Sequence, residues 1–356
     1  MPSSSKSKKA IDPGVEALDE LFATAGLVRS LQGKAGSRPL GARPDRKTPE
    51  ELNRPAPDPA VAANGVQWLP VPGWEKYPWL WAGFSTRRGG LSRAYCGEDA
   101  PGELNLGFTA EDGRETVAAN RRLFAEAVTG NPETPLAPLK QVHSSLVRIA
   151  TLDDAARTLP WKGDGHFTAE AGLLLGVQTA DCIPVLVADR RKRVVAAFHA
   201  GWRGTVKRIV ELGVGRMRLA CGSKPEDLIA AIGPGVGPCC YAVGEEVHSE
   251  FVSQFAYAAD LFYEVYDSDP VRTRYPMLFL TQRAPGHSPI GPSLHLDLIE
   301  ANRRQLMDAG LKPRAIQVSG GCTNCRTDLF FSHRASQGRA GRMMAVIGIA
   351  PKAKKA

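Results

Sequence analysis

The chain has 356 residues, 43% of them apolar, and a formal net charge of +8. That is enough apolar material for a sizeable core, and no run approaches the ~20 uninterrupted apolar residues of a membrane span, so none is expected. Seven cysteines, an odd number in a long chain, suit a reducing compartment and chemistry better than a disulfide framework.

Met1 to Ala10 is rich in Ser and Lys, but no apolar h-region follows it. No secretory signal is therefore expected, and the expected location is cytoplasmic. Basic clusters mark both ends: Lys6, Lys8 and Lys9, then Lys352, Lys354 and Lys355. They lack interleaved aromatics and read as solvated termini, so no nucleic-acid partner is expected.

Val15, Leu18, Leu21, Phe22 and Ala25 recur at helical spacing and predict one short amphipathic helix. Gly33 to Ala63 is rich in Pro, Ala, Arg and Asp, with few large apolar residues to offset its ordering entropy. Residues 1–65 are read as a weakly ordered extension, 66–350 as the globular domain and 351–356 as a basic tail. Gly65 to Leu69 and Trp79 to Ser85 read as strands around a Pro-Gly turn, followed by a tight basic loop, Thr86 to Gly90. Asp112 to Val128 predicts a helix with Val117, Leu123, Phe124 and Val128 inward. Strands are expected at Leu146 to Ala150, Gly172 to Val177, Ile183 to Ala188 and Arg193 to Phe198. Thr205 to Cys221 predicts one continuous helix, with Gly213 and Gly215 weakening it by about 1 kcal/mol each relative to Ala. Leu228 to Ile232 is a further strand and Gly244 to Phe255 a further helix. Asp260 to Pro292 is irregular. Leu296 to Ala309 predicts a helix ending at Gly310, and Ala315 to Ser319 and Met343 to Ile349 are the last strands. Strands and helices interleave without repeats, which makes the body a single α/β domain. Parallel, antiparallel and mixed sheets all fit this pattern.

The residues that carry chemistry lie between Lys140 and Gly204. His143 follows Gln141-Val142, Cys182 follows Thr179-Ala180-Asp181, and His199 opens His199-Ala200-Gly201-Trp202-Arg203-Gly204. Two imidazoles and a thiol make a three-ligand set for zinc with a vacant fourth position. Spacing alone also fits a buried cysteine and two hydrogen-bonded histidines. The local sequence is more telling than the spacing, because Cys182 and His199 stand at strand edges where they can face a cleft.

The chain resembles the laccase-domain, or multicopper-polyphenol-oxidase-like, family, also called the purine nucleoside phosphorylase YfiH family. The matching pieces begin with Phe84-Ser85-Thr86-Arg87-Arg88-Gly89-Gly90, Asn105-Leu106-Gly107, Gln141-Val142-His143 and Gly163-Asp164-Gly165. They continue with Thr179 to Leu186, His199 to Gly204, Ile232-Gly233-Pro234, Tyr241 to Gly244, Cys322-Thr323, Phe331 to Arg334 and Gly341-Arg342. The resemblance implies one α/β domain of mixed sheet and flanking helices, similar in fold to the deamidase domain of cytotoxic necrotizing factor toxins. It implies one Zn2+ held by His143, Cys182 and His199. It further implies phosphorolysis of adenosine, inosine, guanosine and methylthioadenosine, with phosphate as co-substrate, and deamination of adenosine. Copper oxidase chemistry is not expected, because seven dispersed histidines are too few and too scattered for four coppers.

Arg87, in a Gly-flanked loop, is the expected phosphate contact and the remaining catalytic candidate beside the three ligands. Arg203 is the next candidate, with an ion pair to Asp164 or Asp181 as its alternative role. Gln141 and Asp181 are expected to hydrogen-bond the ligands or water, or, for Asp181, to cap the following turn. Gly233 to Pro238 lacks the Lys-Ser/Thr of a P-loop and reads as close packing. Cys239-Cys240 read as cleft or core residues, and Cys322-x-x-Cys325 lacks the second pair that a zinc ribbon needs. His166, His333 and Cys325 depart from the family pattern, and Ala340 replaces a hydroxyl residue there. Either departing histidine lines the cleft or lies at the surface. Two alternatives stand beside the nucleoside enzyme. In one, Cys182 is a nucleophile with His199 as base, acting on an amide or on a peptidoglycan precursor. In the other, the chain is a non-catalytic partner protein whose tails bind something acidic.

Overall fold

The computed structural model describes residues 44–97, 99–265 and 292–352. The helix expected around Val15 to Ala25 lies outside these residues, as do Lys354, Lys355 and most of the irregular stretch before Pro292.

Two six-stranded mixed sheets make the centre. One runs in the order Ile316–Val318, Leu228–Ile232, Ile183–Asp189, Val194–Ala200, Gly165–Thr168 and Val147–Ile149. The other runs Ala60–Val61, Gln67–Pro70, Leu80–Ser85, Met343–Ile349, Leu174–Thr179 and Leu136–Ala137. Central pairs are antiparallel, and three edge pairs are parallel. Side chains alternate between faces, so each sheet has two apolar surfaces to cover. Leu175, Val177, Leu186, Ala188, Val195, Ala197 and Ile347 meet between the sheets. On the far side of the first sheet, Val185, Val187, Ala196 and Phe198 pack on the helices Ile209–Cys221 and Leu298–Asp308. On the far side of the second, Leu174, Met344 and Val346 meet Phe124 and Ala125 of the helix Arg114–Thr129. The result is one domain in four layers: helices, sheet, sheet, helix. Every residue of Ile183–Asp189 and Val194–Ala200 is buried, which is why these strands are continuous apolar runs without polar alternation. Among the described residues, no helix is long and apolar enough to cross a membrane.

Most predicted elements form within a few residues of the expected limits. Three differ for physical reasons. The helix expected over Thr205 to Cys221 is two helices, Trp202–Val206 and Ile209–Cys221. Arg208 between them takes a left-handed φ of 58° and is almost fully buried. Its guanidinium donates to Glu211 at 2.9 Å and lies over the Phe255 ring, contacts that a continuous helix would forgo. The basic loop after Ser85 is in fact the strand Arg88–Ser92. The extension is not weakly ordered up to residue 65. From Pro44 onward it joins the body. Asp45–Lys47 pairs in parallel with Phe262–Val265, Leu52 is buried, and Arg54 bonds Asp297 at 2.7 Å. A short strand and one ion pair achieve what its composition gave no sign of.

Gly213 departs from the propensity argument. A methyl there would overlap the ring of Phe198, which also packs on Gly165. Overpacking of this kind costs about 1–3 kcal/mol, more than the helix propensity that Ala would add. Gly213→Ala is therefore expected to lower unfolding free energy by about 1–2 kcal/mol in urea denaturation. A stabilised variant would contradict this packing.

Candidate metal centre

The antiparallel pair Ile183–Asp189 and Val194–Ala200 sets the first two donors. Its register places Pro184 opposite His199 and Ile183 opposite Ala200, so Cys182 emerges beside Gly201 at the same sheet end. Cys182 is delivered by a tight turn in which Asp181 adopts a φ of 92°. That conformation is costly for a non-glycine residue, by about 1–3 kcal/mol, and persists only when its surroundings hold it. Here the Asp181 carboxylate accepts from the Thr323 hydroxyl and from the Arg334 backbone N–H, both at 2.7 Å. Asp181 therefore clamps its turn to two distant segments, and its partners are this hydroxyl and this N–H rather than a ligand side chain or an N–H of the turn that follows it.

His143 comes from a loop, also at positive φ, 56°. Its anchor is Asp164, which has no exposed surface. The Asp164 carboxylate accepts from the backbone N–H groups of Val142, His143 and Ser144, and from the Ser144 hydroxyl, at 2.6–3.2 Å. The same carboxylate meets His199 Nδ1 at 2.9 Å. With Nδ1 so engaged, Nε2 is the free ring nitrogen, and a carboxylate behind a ligand histidine raises its basicity. The two imidazole rings lie edge to face, with centroids 5.0 Å apart.

The donor atoms of His143, Cys182 and His199 all lie within 4.8 Å of one another. Cys182 Sγ is 3.9 Å from His143 Nε2. This set of two nitrogens and one sulfur, each on a fixed element, fits a zinc ion with one open position. Without metal, the site favours a thiolate at Cys182 beside a protonated His199, whose proton a metal would displace. Burial alone would raise the Cys182 thiol, but the neighbouring His199 and His143 overcome it and bring it down to about 6. Burial likewise opposes the charge on His199, yet Cys182 and Asp164 raise it to about 9. Burial works against Asp164 ionising as well, and hydrogen bonds from His199 and Ser144 still hold it down to about 2. Gly201 leaves room for the cluster. A Cβ there would stand 2.9 Å from Cys182 Sγ and 3.2 Å from His143 Cδ2.

The trio forms one wall of an open cavity of about 600 Å³, lined further by Gln141, Gln178, Asp181, Tyr241, His333, Arg334 and Arg342. His143 is exposed on the cavity side while His199 is buried. The remaining sequence candidates divide. Gln141 lines the cavity, but its amide is engaged by the backbone of Gln178, through bonds of 2.8 and 2.7 Å. Arg203 lies over the Trp202 ring rather than against either expected partner, Asp164 or Asp181. Arg87 is the clear misplacement. It pairs with Glu103 at 2.5 Å, stacks on Phe331 and lines two neighbouring hollows without reaching this one. Arg87 sits at a bend just before the strand Arg88–Ser92, where Glu103 and Phe331 hold its side chain. Of the two departing histidines, His333 lines the cavity, whereas His166 is buried and held neutral by burial, which lowers it to about 3. Asp164, Tyr241, Arg334 and Arg342 are site residues whose roles were not foreseen, although each sits in a matched segment. An Asp between two glycines, directly before a buried strand, was the available signal for Asp164.

The family model described as "Multi-copper polyphenol oxidoreductase laccase" matches residues 81–350. A purine nucleoside phosphorylase YlmD of Geobacillus stearothermophilus is 35% identical over 277 residues, covering 75% of this chain and 89% of that protein. A purine nucleoside phosphorylase of Deinococcus radiodurans is 38% identical over 267 residues, covering 75% and 88%. The crystal structure of YlmD from Geobacillus stearothermophilus superposes with a TM-score of 0.65 at 32% identity, covering 83% of this chain and all of that one.

Asp164→Asn keeps the size of the anchor and removes its charge. It is expected to weaken zinc binding about 10- to 100-fold in competition with a chromophoric chelator. Gly201→Ala is expected to lower zinc affinity as well, by pressing on the Cys182 sulfur. Unchanged affinity in both variants would separate these residues from the metal centre.

Proposed function

The chain belongs to the multi-copper polyphenol oxidoreductase laccase family, and we propose that it is a zinc-dependent purine nucleoside phosphorylase that also deaminates adenosine. The observation that carries this reading is the three-donor cluster at the wall of a cavity that also holds two guanidinium groups. The proposed substrates are adenosine, inosine, guanosine and methylthioadenosine, with inorganic phosphate as the second substrate. Seven free cysteines support a reducing, cytoplasmic location. The proposed domain limits are 66–350, with the packed segment from Pro44 as an accessory.

In phosphorolysis a phosphate oxygen bonds the ribose C1′ as the bond from C1′ to the purine nitrogen breaks, and the electron pair leaves with the base. The protein must hold a dianion beside a sugar centre that becomes cationic. Arg334 directs one edge of its guanidinium to the Ala242 carbonyl at 2.7 Å, and Arg342 binds the Ala340 and Gly341 carbonyls at 2.5 and 3.1 Å. Those bonds pre-orient both groups at the cavity wall, and the proposed role of their remaining N–H donors is to clamp phosphate. Arg334 and Arg342 thus take the role that the sequence assigned to Arg87. Burial keeps the Tyr241 hydroxyl protonated, so it serves as a hydrogen-bond donor to the base. Zinc, when bound by His143, Cys182 and His199, supplies Lewis-acid polarisation of a substrate atom. Asp164 keeps both histidines in place while this occurs. Only two groups of clustered metal-ligating side chains occur among the described residues, and the His143 group has too few histidines for the multinuclear copper centre in the family's name.

A second reading has one observation in its favour. Without metal, Cys182 and His199 form a thiolate–imidazolium pair, the state of a nucleophilic cysteine. That reading makes the chain an amide hydrolase or a peptidoglycan-precursor editing enzyme.

Purified protein given adenosine and phosphate is expected to release adenine, ribose 1-phosphate and inosine, read by chromatography. Cys182→Ala is expected to lower kcat at least about 100-fold. Arg334→Ala and Arg342→Ala are expected to raise the KM for phosphate about tenfold or more, while the nucleoside KM moves far less. Full activity of Cys182→Ala would overturn the site. Zinc-free protein alkylated by iodoacetamide at Cys182, with no nucleoside turnover, would favour the cysteine nucleophile.

A further inference from the structure

Cys239-Cys240 and Cys322-x-x-Cys325 each look incomplete in the sequence, since a zinc ribbon needs two pairs. The fold supplies the second pair from a distance of more than eighty residues. The loop after the strand Leu228–Ile232 and the loop after Ile316–Val318 run side by side, because those two strands are parallel neighbours. Gly235 bridges to Cys322, and Thr323 N–H donates to the Gly235 carbonyl at 3.0 Å. All four Sγ atoms then lie within 4.8 Å of one another, with Cys240 at 3.3 Å and Cys239 at 3.6 Å from Cys325. We propose that Cys239, Cys240, Cys322 and Cys325 form a second metal centre, a tetrathiolate site for one zinc ion.

The geometry fits this ion. Tetrahedral zinc with bonds of about 2.3 Å to sulfur sets its ligands about 3.8 Å apart. The observed separations lie near that value and well beyond the roughly 2.05 Å of a disulfide. The Gly237 N–H donates to Cys322 Sγ at 3.2 Å, the support that a metal thiolate receives from backbone. A side chain at Gly237 would crowd the cluster, since a Cβ would stand 3.2 Å from both Cys239 Sγ and Cys322 Cβ. Cys239 and Cys322 are buried, whereas Cys325 is exposed and gives an ion its way in. Left without metal, four crowded thiols share their protons unequally. The Cys240 sulfur accepts from Cys239, which favours its ionisation and disfavours that of Cys239. Zinc binding releases the remaining thiol protons to solvent and leaves four equivalent thiolates.

The position gives the ion a structural task. Leu52 of the N-terminal segment packs on Cys239, Cys322 and Val265, so the site ties that segment to both loops. Tyr241 follows Cys240 directly, and Thr323 follows Cys322 and holds Asp181. The second centre therefore fixes one loop that lines the first cavity through Tyr241 and another that holds the lining residue Asp181, without touching the cavity itself.

The test is zinc content of the full chain purified under a phosphine reductant and dialysed against a weak chelator. Wild type is expected to hold two zinc ions per chain, and the Cys240→Ser, Cys325→Ser double variant one. Cys182→Ala is expected to retain one zinc whose X-ray absorption shows only sulfur neighbours at about 2.3 Å. That variant lacks the first centre, so its result is independent of the nucleoside reading. Wild-type cobalt replacement, needing no mutation, is expected to give the intense absorption of a cobalt tetrathiolate. A metal-free Cys182→Ala protein with four titratable thiols at these positions, a disulfide among them, or iron in place of zinc would overturn the proposal.

Discussion

The Asp164 carboxylate holds the candidate metal centre together. One buried side chain receives three backbone N–H groups and a hydroxyl from the His143 loop and, on its other side, the imidazole of His199. A carboxylate in a water-free position must be satisfied or neutralised, because an unpaired buried charge costs several kcal/mol. Here satisfaction and positioning are one event: the donors that keep Asp164 ionised are the groups whose placement builds the site. Those same bonds offset the positive φ at His143, and His199 is left with one nitrogen to offer.

Around this anchor the two sheets provide rigidity. Cys182 and His199 stand at the ends of strands buried on both faces, so neither can shift without moving packed core. The strands also meet the helical layer through Phe198, next to His199, whose ring lies against glycines on two different elements. Close packing is thus continuous from the helix Ile209–Cys221 to the ligand residue. Arg334 and Asp181 extend the scaffold on the solvent side, where the loop that carries the guanidinium is also the one that clamps the Cys182 turn. The same loop thus serves both the cavity wall and the turn that carries Cys182.

Much of the frame is legible in the sequence. Continuous apolar runs such as Ile183 to Ala188 and Met343 to Ile349 become strands because no solvent-facing side is left to encode. Where the sequence reading fails, a side chain does something its neighbours in sequence cannot reveal. Arg208 breaks a helix because Glu211 and Phe255 receive its guanidinium. Residues 44–56 look poor in core-forming residues, yet Leu52 and Arg54 find partners more than 180 residues away.

The strand ends and tight turns that carry His143, Cys182 and His199 are likewise short-range signals, and the three side chains do converge, with donor atoms within 4.8 Å of one another. Partnership is not short-range. Arg87 resembles a phosphate ligand in its loop, but the Glu103 carboxylate and the Phe331 ring capture it, and Arg334 and Arg342 occupy the cavity instead. The two cysteine pairs are equally silent alone, since only the parallel pairing of Leu228–Ile232 with Ile316–Val318 brings their loops together. Period and propensity act over a few residues and specify elements, whereas hydrogen bonds, ion pairs and metal sites need groups within a few ångströms in space, a distance that only the closed fold determines.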